Sequence, residues 1–264
     1  MIRKLVFGAL ALALAATFVA VHPWELEGAV AGARAAAFPP PATYQRVVYV
    51  YDGDTVQLAD GRRVRLLNIN APEIKTHSKR GEPSGEPAKR ALERLTRGKR
   101  VRLEYDAQTQ DHYGRTLAYL FTEDGLHVNL TLVKQGFAVA NLHPPNLKYA
   151  EAILAAEREA EAAKRGVWGM AAYAPKPIEV LRRTKVYGWQ RVQGRVRRIK
   201  PLRKFIRLEF DRDLYVTIPK ANLKWFPPLS TYLEAKLEVR AWPKRRGQSV
   251  SMLVRHPSAL VVLR

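Results

Sequence analysis

The chain has 264 residues, 47% of them hydrophobic, which is enough to fill one large core or two small ones and excludes disorder over most of its length. It has no cysteine, so a disulfide framework, a thiolate metal centre and a cysteine-linked lipid anchor are all excluded. Its 45 Lys and Arg against 24 Asp and Glu leave a formal charge of +21, a field that draws polyanions such as nucleic acid or anionic lipid.

In chain order, Arg3 and Lys4 precede an uncharged, mostly apolar run over residues 5–21, the pattern of a secretory signal. Residues 1–33 are therefore read as a signal peptide, or as an uncleaved anchor that enters the membrane through residues 5–21. Either reading makes the protein secreted or periplasmic, tethered in the second case. Residues 34–46, with Pro39, Pro40 and Pro41 among alanines, form a stiff spacer. Folded sequence is expected from Val47.

Strand patterns follow at 47–51, 55–58, 62–68 and 100–105, with Asp52-Gly53 and Asp60-Gly61 as turns. A helix is expected at 87–95, where Ala88, Ala91, Leu92 and Leu95 make one apolar stripe. A strand at 117–121, a short helix at 128–135 and a longer one at 147–164, capped by Asn146 and stopped by Gly166, complete this part. Five strands with helices inserted late suit a small closed barrel with helices packed on it. A linker is placed at 171–186, around Pro175 and Pro177. Beyond it, strand-like runs at 189–199, 205–210, 214–218, 233–242 and 250–254 predict a second small β-barrel over 187–264. The expected class is mostly β with packed helices.

Three clusters in the first domain, 47–170, carry chemistry: Asp52-Gly53-Asp54-Thr55, residues 65–73, and Asp111-His112-Tyr113-Gly114-Arg115. Cutting a phosphodiester needs a cation on the non-bridging oxygens, a group that orients or deprotonates water, and donors for the charge that grows in the transition state. Asp54, Asn70 and the Ala71 carbonyl offer hard oxygen ligands. Arg65 and Arg115 offer forked donors that match a phosphate at two points. Each cluster alone has a plain reading, a turn or a solvated face; their joint order carries the weight.

From residue 47 to 169 the chain resembles the thermonuclease (staphylococcal nuclease-like) family. The matching stretches are Tyr51-Asp52-Gly53-Asp54-Thr55, Arg65-Leu66-Leu67, Ala71-Pro72-Glu73, Asp111-His112-Tyr113-Gly114-Arg115-Thr116-Leu117-Ala118-Tyr119, Val128-Asn129, Leu132-Val133-Lys134-Gln135-Gly136 and Gly166-Val167-Trp168. The resemblance implies an OB-type five-stranded barrel, Ca²⁺ dependence, and hydrolysis of DNA and RNA that leaves a 3′-phosphate and a 5′-hydroxyl. It makes Asp54 and the Ala71 carbonyl metal ligands, and Glu73 the residue that orients or deprotonates the attacking water. Arg65 and Arg115 would bind the phosphate and its transition state, and Tyr113 would lie near the terminal phosphate of a bound nucleotide. Asn70 departs from the family's second aspartate; it keeps an oxygen and drops a charge, which weakens metal binding.

The second domain, 187–264, weakly resembles an OB-fold. Residues 175–264 carry a net charge of +16, from 22 basic against 6 acidic side chains, whereas residues 47–170 carry +3. Arg195, Arg197 and Arg198 are the second domain's candidate phosphate-binding residues, with Trp189, Tyr215, Trp225 and Trp242 either stacking platforms or core. DNA and RNA are the expected partners, with anionic lipid or cell-wall polymer as the alternative anion. No protein partner is inferred and a monomer is expected. The competing reading is a nucleic-acid-binding or surface-anchored DNA-binding protein of the same fold with weakened catalysis, for which Asn70 is the argument.

Overall fold

The computed structural model describes residues 43–77, 80–183 and 187–263. The signal or anchor at 1–33 and most of the spacer lie outside them. Among the described residues no helix is long and apolar enough to cross a membrane.

The first strand, β1 (Tyr44–Asp52), starts three residues ahead of the expected Val47. It is followed by β2 (Thr55–Leu58) and β3 (Arg63–Leu66), then β4 (Ile69–Asn70), α1 (Gly85–Thr96), β5 (Arg100–Glu104) and β6 (Thr116–Thr122). Next come α2 (Val128–Lys134), β7 (Val139–Ala140) and α3 (Ala150–Ala162). Five of these strands close into a barrel in the order β1-β2-β3-β6-β5, with β3 and β6 parallel. The alternation read from sequence explains the closure: Val56, Leu58, Val64, Leu66, Val101 and Leu120 all point into one core and are at most 1% exposed. The stripe of α1, Ala88, Ala91 and Leu92, packs on the same core. Burying each such leucine contributes about 1.5–3 kcal/mol.

Two local expectations need correction. Helix α3 begins at Ala150 with Tyr149 at its cap position, not after Asn146. The Asn146 amide is used elsewhere: it accepts from the Gln108 N–H at 2.7 Å and donates to the Gln108 carbonyl at 2.9 Å, pinning the loop before Asp111. The expected 62–68 strand ends at Leu66, because Asn68 takes a left-handed backbone (φ 61°) and starts the separate pair β4–β7.

The remaining chain is β-rich. It forms β8 (Lys176–Pro177), the short helix α4 (Val180–Arg183), β9 (Gln190–Arg195), β10 (Arg198–Pro201), β11 (Phe205–Glu209) and β12 (Leu214–Pro219). After these come β13 (Lys236–Ala241), β14 (Pro243–Arg246), β15 (Ser249–Leu253) and β16 (Leu260–Leu263). They make two sheets over one core, β10-β11-β12-β15-β14 and β16-β13-β9-β8, rather than one five-stranded barrel. The run expected at 189–199 splits because Val196 and Arg197 turn the chain from one sheet into the other, with Val196 buried. The segment expected as a linker is packed: Ile178 and Leu181 lie in the second core, and β8 pairs with β9.

A third apolar cluster joins the two halves, with Trp168 edge-on to Trp189 at 5.7 Å between ring centres and Trp242 against it. Beside it lies an ionic network. Arg191 pairs with Glu161 (2.5 Å) and Glu238 (2.8 Å), and Arg240 with Glu161 (2.9 Å), Glu238 (2.8 Å) and Glu157 (3.6 Å).

Candidate active site

The sharp turn Asp52-Gly53-Asp54 links β1 to β2. It needs glycine, since a β-carbon at Gly53 would sit 2.5 Å from Ala71 Cβ and 2.6 Å from Ala88 Cβ. That close approach sets Asp54 against Ala71: Asp54 Oδ2 accepts the Ala71 N–H at 2.8 Å, and Oδ1 accepts from the Thr55 hydroxyl at 3.0 Å. Arg65 stands opposite Thr55 in the β2–β3 ladder, which brings its guanidinium over the same turn.

Nη2 of Arg65 lies 3.1 Å from Asp54 Oδ2 and donates to Asn70 Oδ1 at 3.0 Å, while Nη1 donates to the Leu66 carbonyl at 2.6 Å. Asn70 Nδ2 donates to the Ala71 carbonyl at 2.9 Å. Asp54 is only 6% exposed. Burial lifts its pKa to about 7; Arg65 opposes the rise and Asp52 adds to it.

The oxygens around Arg65 belong to a carboxylate, an amide and backbone carbonyls. That all-oxygen set fits a hard cation, and the guanidinium already occupies the position of a positive charge between Asp54 and Asn70. Among the described residues no group of three or more acidic or histidine side chains is placed to hold a metal. A cation here would therefore lean on Asp54, Asn70, the Ala71 carbonyl, water and substrate.

Glu73 sits on the loop leading to α1. Its backbone is held by Glu82, whose Oε2 accepts the Glu73 N–H at 2.7 Å and whose N–H donates to the Glu73 carbonyl at 2.8 Å. The other oxygen of Glu82 accepts the Trp189 N–H at 2.9 Å. One carboxylate thus ties the Glu73 loop to the second half. A β-carbon on Gly188 (φ 75°) would collide with that same oxygen.

Across the opening, Asp111 organises the third cluster. Its Oδ1 accepts the N–H groups of Tyr113 and Arg115, and its Oδ2 takes Arg115 Nε at 2.8 Å, which orients the guanidinium and leaves the two Nη groups without a further hydrogen bond to any described residue. Burial pushes the Asp111 carboxyl up, but these contacts outweigh it and hold the carboxyl below its usual range. Tyr113 is 75% exposed.

All seven residues expected at the first-domain site, Asp54, Arg65, Asn70, Ala71, Glu73, Tyr113 and Arg115, line one cleft of about 850 Å³. The cleft has one wall the sequence did not foretell: His143 and Asn146 from the loop before α3, and Arg255 from the second half. Arg195, Arg197 and Arg198 are not in it. Arg195 donates to the Glu234 carbonyl, Arg197 pairs with the Glu234 carboxylate at 3.1 Å and Arg198 with Glu209 at 2.6 Å. Of the four aromatics, Trp189 and Trp242 serve the core between the halves, Tyr215 carries Arg207 on its face at 3.9 Å, and Trp225 is exposed.

A family model described as staphylococcal nuclease homologue matches residues 63–170. The thermonuclease of Staphylococcus intermedius is 39% identical over 122 residues, which cover 45% of this chain and 72% of that protein. The chain belongs to the thermonuclease (staphylococcal nuclease) family. The thermonuclease of Staphylococcus hyicus (36% over 126 residues, 47% of this chain and 74% of that one) and an endonuclease of Bacillus subtilis (36% over 127 residues, 46% and 60%) match as well. The family model's match ends at residue 170, so the basic β-rich half lies outside it.

Proposed function

We propose that this protein is an exported Ca²⁺-dependent endonuclease that hydrolyses phosphodiester bonds of DNA and RNA, leaving 3′-phosphate and 5′-hydroxyl ends. The observation that carries this reading is the convergence of Asp54, Arg65, Glu73 and Arg115 on one cleft, in a chain whose relatives include two thermonucleases. Glu73 takes the proton of the attacking water or orients it. Arg115, oriented by Asp111, presents its Nη groups to the phosphate and to the charge that grows on it. Arg65 exchanges Asp54 and Asn70 for phosphate oxygens as substrate arrives. A hard cation on Asp54, Asn70 and the Ala71 carbonyl would neutralise the non-bridging oxygens.

The test is digestion of single-stranded DNA and of RNA by the full chain, with Ca²⁺ and with chelator, followed by end-group analysis. Activity indifferent to chelator overturns the metal assignment, and 5′-phosphate ends overturn the reaction. The second reading, a binding protein with weakened catalysis, rests on Asn70, whose amide both lacks the charge and occupies the Ala71 carbonyl. It predicts tight binding with no turnover in the same assay.

A further inference from the structure

The charge of the second half is not evenly available. Arg182 is held by Asp211 and Asp213, Arg191 and Arg240 by the interface carboxylates, Arg197 by Glu234, and Arg198 and Arg207 by Glu209. These cations are largely neutralised where they stand. Four of the unpaired ones gather at one end of a sheet.

Strand register shows where. β12 and β15 run parallel, with Thr217 opposite Leu253, so both strands exit at the same end of the five-stranded sheet. Arg255 lies just past the exit of β15 and Lys220 just past that of β12. β11 enters at this end, since Phe205 pairs with Pro219, and Lys204 precedes it, its carbonyl accepting the Lys220 N–H at 3.0 Å. The short 3₁₀ helix Lys220–Trp225 adds Lys224, and Asn222 within it donates to the Arg255 carbonyl at 2.8 Å. Lys204, Lys220, Lys224 and Arg255 are all exposed and make no ion pair with any described residue. Glu209, Asp211 and Asp213 belong to the opposite end of the sheet, beside the start of β12 and β15. Two exposed aromatics share the basic end, Phe205 (37%) and Trp225 (39%), the latter with Lys224 Nζ 5.2 Å from its ring centre.

This end adjoins the nuclease cleft. Arg255 lines the cleft together with Arg65 and Asn70, and it also lines a smaller crevice of about 160 Å³ between the halves that again includes Asn70 and His143. His143 lines the same cleft beside Arg65 and Arg255.

We propose that Arg255, with Lys204, Lys220, Lys224 and the rings of Phe205 and Trp225, forms a subsite that holds the phosphodiester backbone and bases of single-stranded nucleic acid where the strand leaves the catalytic cleft. The subsite rests on the reading of that cleft as the nuclease site. A row of unpaired cations draws the phosphates, and exposed rings accept bases in any sequence. A flat membrane surface is a poorer fit, because the first cation of the row, Arg255, lines a concave cleft. The second half thereby extends the substrate groove beyond the barrel and turns a site for a few nucleotides into one that favours long strands.

The test uses the full chain in chelator, where nothing is cleaved, and reads binding of a fluorescently labelled 20-nucleotide oligo(dT) by anisotropy over a range of salt. Loss of one charge-assisted phosphate contact in Arg255→Ala should weaken binding about tenfold. It should also flatten the slope of log affinity against log salt by about 0.7, the value for one phosphate contact on a single strand. Lys220→Ala/Lys224→Ala should lower the slope further, Arg255→Lys should restore most of the affinity, and Arg246→Ala at the far end of the sheet should match the unmodified protein. With Ca²⁺, KM for the 20-mer should rise in Arg255→Ala more than KM for a trinucleotide. Unchanged affinity and slope in Arg255→Ala and in the double variant would overturn the subsite, as would an equal loss on the trinucleotide. So would variants that lose binding to phosphatidylglycerol vesicles while keeping oligo(dT). A protein that binds oligo(dT) through Arg255 yet never cleaves it refutes the proposed reaction and leaves the subsite standing.

Discussion

Replacing Asn70 by aspartate tests the proposed metal site most directly. Asn70 now does two things: its oxygen accepts from Arg65 Nη2 at 3.0 Å, and its amide donates to the Ala71 carbonyl at 2.9 Å. Aspartate keeps the oxygen, adds a full charge, and cannot donate, so the Ala71 carbonyl is released to face a cation. Two unit charges 4 Å apart interact by about 1 kcal/mol in a water-like dielectric, so an added carboxylate beside a divalent ion gains about 2 kcal/mol. Part of this is offset because the new carboxylate also holds Arg65 more firmly, a pairing worth up to about 1 kcal/mol at a partly open site. The remainder, about 1–2 kcal/mol, lowers half-maximal calcium roughly tenfold. Calcium titration of the full chain by calorimetry, alongside the calcium dependence of single-strand cleavage, measures it. Half-maximal calcium unchanged within about twofold, or raised, would refute Asn70 as a ligand.

Glu73→Gln should lower kcat on single-stranded DNA by about a hundredfold or more with an unchanged melting temperature, and a loss below about tenfold would remove Glu73 from the proton-transfer role. Arg240→Met leaves Glu157, Glu161 and Glu238 with Arg191 as their counter-charge and should cost about 3–5 kcal/mol of stability, read by urea unfolding. Burial raises the Glu157 carboxyl from 4.5 to about 7, with Arg240 opposing. The folded protein therefore keeps a proton that the unfolded chain has lost between those values, and Glu157 lowers stability as pH rises from 4.5 to about 7. Glu157→Gln should remove that decline, at most about 3 kcal/mol, and identical pH slopes for both proteins would show that Glu157 titrates normally.

The barrel and its site were legible because their signals are local. Alternation in 55–58 and 63–66, the Asp52-Gly53 turn and the alanine stripe of α1 each fit within a few residues. Asp54 and Arg65 are eleven positions apart, yet one ladder pair, Thr55 with Arg65, brings them together. What sequence did not reveal is built from distant partners. Glu161, Arg191, Glu238 and Arg240 show no pattern until the two halves meet, and Arg255 sits in an unremarked loop after β15. Arg195, Arg197 and Arg198 had the right charge in a strand-like run, but sequence could not show that Glu209 and Glu234 lie across from them. Asn146 had the composition of a helix cap and was claimed by the Gln108 backbone.

The Glu82 carboxylate has a consequence for how such chains can be recombined. One of its oxygens steadies the Glu73 backbone and the other receives the Trp189 N–H. A gene cut at residue 170, where the family match stops, would leave that second oxygen without its N–H donor, while the first stays bonded to the Glu73 backbone. Grafting the second half onto another thermonuclease barrel would require an acid at the place of Glu82 and a glycine at the place of Gly188, where any side chain would strike the carboxylate. The seam is thus written into both modules.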